Sequence, residues 1–148
     1  PIERWIDLVN KLLDYDINLQ VILTGSELDR QLTDKVENSI QNQRVLNMAG
    51  LLDLCSAAAL IDRLDLLITP DTGPLHIAAA VKTPTIAISV AGNSVESNPI
   101  DKEITHVFIQ KPIICSPCLD KKCKNAICMS QISVYEVFSH VKILFKIN

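Results

Sequence analysis

Aromatic side chains are scarce in this sequence: one Trp, two Tyr and three Phe among 148 residues. A surface that holds single-stranded nucleic acid by stacking bases on exposed rings is therefore poorly supplied. An excess of one charge is missing too. Fourteen Lys and Arg stand against 17 Asp and Glu, a formal charge of −3 with both signs mixed along the chain, so no basic field draws a polyanion. No apolar run approaches the ~20 residues of a membrane-spanning helix, and no secretory leader is visible. Five cysteines are too few for a disulfide scaffold in a chain of this size, and Cys55 stands by itself in an apolar helical pattern, so a reducing cytoplasm is the simplest setting. Internal repeats and low-complexity tracts are absent. Glycine is limited to four residues, so each marks a particular backbone requirement.

What remains is an aliphatic chain, 48% apolar, of a length that suits one domain with a sizeable core. Trp5, Leu8, Val9, Leu12 and Leu13 recur at helical spacing and predict an amphipathic helix over residues 3 to 14. Asn18 to Thr24 reads as a buried strand ending at Gly25. Ser26 then opens a helix with a stripe of Leu28, Leu32 and Val36, and Asp29 supplies a weaker form of the capping box. Arg44 to Met48 is a short strand, and Asp53 caps a helix that buries Leu54, Ala57, Ala58 and Ile61. Further strands are expected at Leu66 to Thr69, Pro84 to Ser89 and His106 to Gln110. Ser133 and Glu136 form a full capping box for a last helix carrying Val134, Val137, Phe138, Val141, Leu144 and Phe145 on its apolar side. Strand and helix alternate throughout, the pattern of an α/β fold: a Rossmann-like parallel sheet with helices on both faces.

The chemistry is expected where Leu66-Leu67-Ile68-Thr69 runs into Pro70-Asp71-Thr72-Gly73-Pro74-Leu75-His76. Pro74 suits the first helical position, and Gly73 allows the backbone to turn and to approach a ligand closely. The amides of the first helical turn then point outward and, with the helix dipole, make a site for a phosphate or another anion. Thr72 adds a hydroxyl and His76 a ring N–H. Asp71 repels phosphate and instead accepts from sugar hydroxyls or from the amides of the turn. The plainer account of the same residues is that Asp71 and Thr72 cap the helix and His76 is a partly buried histidine.

Asp71-Thr72-Gly73-Pro74-Leu75-His76-Ile77-Ala78-Ala79-Ala80 closely resembles the signature of glycosyltransferase family 9, the bacterial heptosyltransferases of the lipopolysaccharide inner core. Further matches follow in order. Gly25-Ser26-Glu27 resembles the family's Gly-x-Glu after a strand, Ala49-Gly50 with Leu54 its Ala-Gly-x-x-x-Leu, and Cys115-x-x-Cys118 through Cys128-Met129 its late cysteine segment. The resemblance implies the C-terminal half of a GT-B enzyme. Residues 1–148 would then form a single nucleotide-sugar-binding domain, with the N-terminal acceptor domain absent.

It also implies roles. Glu27 meets the nucleoside ribose, although an acidic residue in a first helical turn is more commonly a complement to the helix dipole. Met48 to Leu52, Leu52 included, surround the base. Asp71, Thr72, Gly73, Pro74 and His76 meet the diphosphate, with His76 stabilising the leaving group. Where the family carries a lysine ahead of a tryptophan, this chain has Glu3-Arg4-Trp5, which leaves Arg4 as the cation of that segment. The turn-rich loop from Val90 to Pro99 lies at the same sheet edge and suits either closure over the donor or an ordinary mobile loop.

Cys115, Cys118, Cys123 and Cys128 are spaced as a zinc knuckle with Cys in place of its usual His, and Lys121, Lys122 and Lys124 favour the thiolate form that binds metal. Structural zinc, reduced thiols and a disulfide all remain open. The resemblance implies no required metal.

The expected function is donor binding in an inverting glycosyltransferase, with heptose passing from ADP-heptose to lipopolysaccharide core in the cytoplasm, peripherally on the inner face of the inner membrane. The acceptor would be held by the absent N-terminal domain, and no nucleic acid is involved. Two alternatives stand beside it: a non-catalytic nucleotide- or anion-binding module, and a zinc-knuckle interaction module reading single-stranded nucleic acid.

Overall fold

The computed structural model describes residues 1–89, 106–111, 113, 123 and 127–145. The chain divides into two compact units, Pro1–Cys55 and Ser56–Asn148. In the first, helix α1 (Ile2–Tyr15) buries Leu8, Val9, Leu12 and Leu13 along one stripe, as its spacing predicts. Strand β1 (Val21–Leu23) pairs parallel with β2 (Val45–Asn47), Val21 opposite Val45 and Leu23 opposite Asn47. Helix α2 (Arg30–Ile40) connects them. Val9, Leu13 and Val45 form the core, with Leu19, Val21, Leu23 and Ile40 packed around it. Arg44 closes the end of α1: its guanidinium donates to the carbonyls of Leu13 at 3.0 Å and Asp16 at 2.9 Å, where helix carbonyls otherwise lack partners.

Helix α3 (Leu54–Ile61) begins at the end of the first unit and leads into the second. There β3 (Leu67–Pro70), β4 (Thr85–Ile88) and β5 (His106–Ile109) form a parallel sheet in the order β3-β4-β5. Helix α4 (Gly73–Val81) links β3 to β4; α5 (Ile127–Ser130) and α6 (Val134–Leu144) follow β5. Every residue of β4 is buried, which explains its unbroken run of apolar residues and threonine, whereas β3 alternates between buried and more exposed positions. Ile61, Leu67 and Ala78 make the core on the α3–α4 side, covered by Leu64, Ile77 and Val81. Thr83 is 2% exposed, and its hydroxyl donates to the carbonyl of Ile61 at 2.7 Å, joining the Leu64 N–H at 3.1 Å on that carbonyl at the end of α3.

The parallel α/β expectation holds, with the ladders in two sheets; β3 keeps its expected length but starts one residue later, and the other strands are one to four residues shorter than their apolar runs suggest. Three side-chain expectations need correction. Leu28 and Leu32 are exposed, and Val36 alone of that stripe is buried. Leu28 sits in a 3-10 turn (Glu27–Asp29) that precedes α2, so it does not continue the 3.6-residue period of that helix. Leu54 is exposed on the first turn of α3, leaving Ile61 as its buried residue. At α6, Ser133 Oγ accepts from the Glu136 N–H at 3.1 Å, but the Glu136 carboxylate takes Lys111 Nζ at 2.7 Å. The reciprocal half of the capping box therefore gives way to an ion pair. No helix among the described residues is long and apolar enough to cross a membrane.

Candidate functional site: the start of helix α4 and the Glu27 edge

Strand β3 ends at Pro70, and Thr72 continues in an extended conformation with φ −146° and ψ −176° before the helix opens at Gly73. Pro74 is thus the second helical residue rather than the first; at either position its missing N–H costs the helix nothing. The Leu75 N–H closes the first turn on the Thr72 carbonyl at 3.0 Å. Leu75 and Ala78 are fully buried and anchor one face of α4, while Thr72, Gly73 and His76 are exposed on its first turn.

The N–H groups of Thr72 and Gly73 meet no acceptor among the described residues. Both lie at the positive end of the α4 dipole. Gly73 does not adopt the left-handed backbone that favours glycine, so the expectation that the turn itself demands glycine is corrected. A methyl group built on it would meet no described residue within 4 Å beyond its chain neighbours and its own helix. What glycine provides here is open space beside two unpaired amides.

The Thr72 hydroxyl donates back to the Pro70 carbonyl at 3.3 Å, so the outward donors at this end are the two amides and the His76 ring. Asp71 is half-buried, and its Oδ2 lies 3.5 Å from the hydroxyl of the buried Ser89, at the outer limit of a hydrogen bond. Asp71, Thr72, Gly73, Pro74 and His76 are thus brought together, as the sequence predicts.

The first unit carries a candidate edge of its own. The carboxylate of Asp29 accepts from the Ser26 N–H at 2.8 Å and from the Ser26 hydroxyl at 2.7 Å, which holds its pKa below the usual 3.8, chiefly through the side-chain bond. This turn requires Gly25, because a methyl group there would meet Asp29 Cβ at 2.8 Å. Gly50 has φ +72°, and a methyl group on it would lie 3.1 Å from the Glu27 Cα; its N–H donates to the Gly25 carbonyl at 3.0 Å. The loops after β1 and β2 therefore touch at Glu27 and Gly50. The Glu27 carboxylate is exposed and has no partner among the described residues.

Within the Met48–Leu52 turn, the N–H groups of Met48, Ala49, Gly50 and Leu51 are all used internally. Leu52, half-buried, carries the first N–H left over. Arg4, also half-buried, lies on the first turn of α1, outside the Glu27–Gly50 contact.

Three polar residues at this edge escape a reading of apolar period and turn chemistry: Arg30, Asp34 and Asn47. Arg30 Nε donates to Asp34 Oδ1 at 2.9 Å and Nη1 to the Ala49 carbonyl at 2.9 Å. Asn47 Nδ2 donates to the same Asp34 oxygen at 2.9 Å. The four-residue spacing of Arg30 and Asp34 is the signal that was available in the sequence.

Cys123 and Cys128 are free thiols, and Cys115 and Cys118 lie outside the described residues, as does the Val90 to Pro99 loop. Among the described residues no group of three His, Cys, Asp or Glu side chains is placed to hold a metal, so structural zinc gains no support.

The comparisons with known proteins agree with this fold. Residues 1–128 match the model of glycosyltransferase family 9 (heptosyltransferase). The lipooligosaccharide heptosyltransferase 2 of Campylobacter jejuni is 30% identical over 142 residues, covering 90% of this chain and 43% of that protein. Lipopolysaccharide heptosyltransferase 3 of Escherichia coli is 36% identical over 87 residues, covering 57% of this chain and 25% of that protein. The structure of E. coli ADP-heptose LPS heptosyltransferase II superposes on 97% of this chain and 41% of its own, with a TM-score of 0.80 and 22% identity. E. coli heptosyltransferase WaaC with ADP-2-deoxy-2-fluoro heptose covers 97% of this chain and 38% of its own, with a TM-score of 0.70 and 19% identity. The chain spans less than half the length of these relatives. With a family match over most of its residues and the family's turn at the head of α4, the chain belongs to glycosyltransferase family 9.

Proposed function

We propose that the chain is the donor-binding, C-terminal GT-B part of an inverting heptosyltransferase that takes ADP-heptose and acts on lipopolysaccharide core. The Thr72 and Gly73 amides and the His76 ring hold the diphosphate. Glu27 accepts from the ribose hydroxyls, and the turn at Met48 to Leu52 receives the base. In the reaction an acceptor hydroxyl attacks the anomeric carbon, the carbon–oxygen bond to the diphosphate breaks with its electron pair, and the acceptor proton passes to a base. Negative charge grows on the leaving diphosphate, and preorganised N–H donors on a helix terminus stabilise it. The base and the acceptor site belong to the N-terminal half of the family's architecture, which would work in the cytoplasm, peripherally on the inner membrane. No step here draws on a metal.

One observation carries this reading: among the described residues, Gly73 faces open space beside two amides that none of them uses. Gly73→Ala fills that space without meeting a described residue beyond its own helix and chain neighbours, so folding and binding separate in one variant. A hydrogen bond to a charged group contributes about 1.5–3 kcal/mol, so loss of one predicts ADP binding weaker by about 10- to 100-fold with an unchanged melting temperature. Calorimetric titration of ADP into Gly73→Ala and His76→Ala tests this; undiminished affinity in Gly73→Ala overturns the site.

Glu3, where the family has lysine, favours a second reading: a nucleotide-binding module that does not turn over. Both readings predict ADP binding. They part on whether the chain, supplied with an N-terminal family half, transfers heptose.

A further inference from the structure

We infer that Arg30, with Asp34 and Asn47, positions the nucleoside-binding edge, acting through the Ala49–Gly50 turn on Glu27. This rests on the donor-binding reading above. The backbone of Ala49 is held on both sides: its carbonyl, in the Ala49–Gly50 peptide, accepts from Arg30 Nη1 at 2.9 Å, and its N–H, in the Met48–Ala49 peptide, donates to Asn47 Oδ1 at 3.2 Å. Asp34 Oδ1 ties the two grips together, taking Arg30 Nε and Asn47 Nδ2 at 2.9 Å each. Holding the Ala49–Gly50 peptide by its carbonyl, with the preceding peptide held by its N–H, sets the direction from which Gly50 enters its left-handed conformation, with φ +72°. Gly50 in turn lies against the backbone of Glu27, 3.1 Å from a methyl group placed upon it, and donates its N–H to Gly25. The network thus reaches the carboxylate only through backbone, from Arg30 to Ala49 to Gly50 to Glu27.

Stability gives such a network little purpose. The Arg30 and Asp34 side chains are 37% and 42% exposed, and ion pairs of that exposure contribute little to folding. Their bonds are instead oriented: a planar guanidinium serves a carboxylate and a carbonyl in two fixed directions, which a flexible ammonium does not reproduce. In a binding edge that presents backbone and one carboxylate, the angle of a single peptide decides whether the ribose and base meet their partners.

The test compares ADP with inorganic pyrophosphate, by calorimetric titration of the chain and of Arg30→Ala, Arg30→Lys and Asp34→Asn. A positioning role predicts about tenfold weaker ADP binding in Arg30→Ala, a smaller loss in Arg30→Lys, unaltered pyrophosphate binding, and melting temperatures within a few degrees of the parent. Should Arg30→Ala fail to fold, Arg30→Lys and Asp34→Asn read the same ratio. Equal losses for ADP and pyrophosphate, or ADP binding untouched in all three variants, overturn the inference while leaving the diphosphate site standing. A parent chain that binds neither probe overturns the donor-binding reading, and this inference with it.

Discussion

Gly50 and Gly73 are glycine for opposite physical reasons. Gly50 sits at φ +72° with the Glu27 backbone in the way of any side chain; Gly73 has an ordinary backbone and no described residue in front of it. A left-handed conformation costs an L-residue roughly 1–2 kcal/mol, so Gly50→Ala should lower unfolding free energy by about that much, with more from the 3.1 Å approach if Glu27 does not yield. Urea denaturation measures it; a loss under ~0.5 kcal/mol means the turn relaxes instead. Both glycines were visible in the sequence as turn markers. Their difference was not, because it depends on what lies across from each Cα, and that is fixed only when β1 and β2 pair.

At the scale of elements, the helices were legible in proportion to their periodicity. α1 buries the four aliphatic residues its spacing selects, whereas the Leu28–Leu32–Val36 stripe breaks where a 3-10 turn precedes α2. Local pattern does not report that change of pitch. Nor does it report where an end is satisfied from afar. Thr83 follows α4, yet its hydroxyl serves the last carbonyl of α3, 22 residues earlier in the chain, inside the core. Thr83→Val keeps the shape and removes one of that carbonyl's two donors, leaving the Leu64 N–H at 3.1 Å. A typical hydrogen bond contributes about 0.5–1.5 kcal/mol net, so the variant should lose stability in that range by denaturant unfolding, and an unchanged midpoint would remove the hydroxyl from the account of how α3 ends.

For the molecule as a whole, the alternation of strand and helix announced a parallel α/β fold, and the Asp71–His76 run announced the family to which the chain belongs. Chain order did not announce the split into two compact units, because unit boundaries follow contact density rather than sequence pattern. The functional consequence concerns the proton acceptor of the proposed reaction. Since the base is assigned to the other half of the architecture, the chain alone should bind ADP without transferring heptose. An end-point assay for sugar transfer over hours checks this, and turnover above the uncatalysed background refutes the division of labour.

Strand β4 carries a different consequence. It is hydrogen-bonded on both sides, and all four of its residues are buried. Its peptide groups therefore have no partial route to water: they become accessible only when the ladder to β3 or to β5 tears. The second unit accordingly guards these amides one strand away from the turn at the head of α4, so the strand that ends in that turn leans on a neighbour that opens only with the sheet.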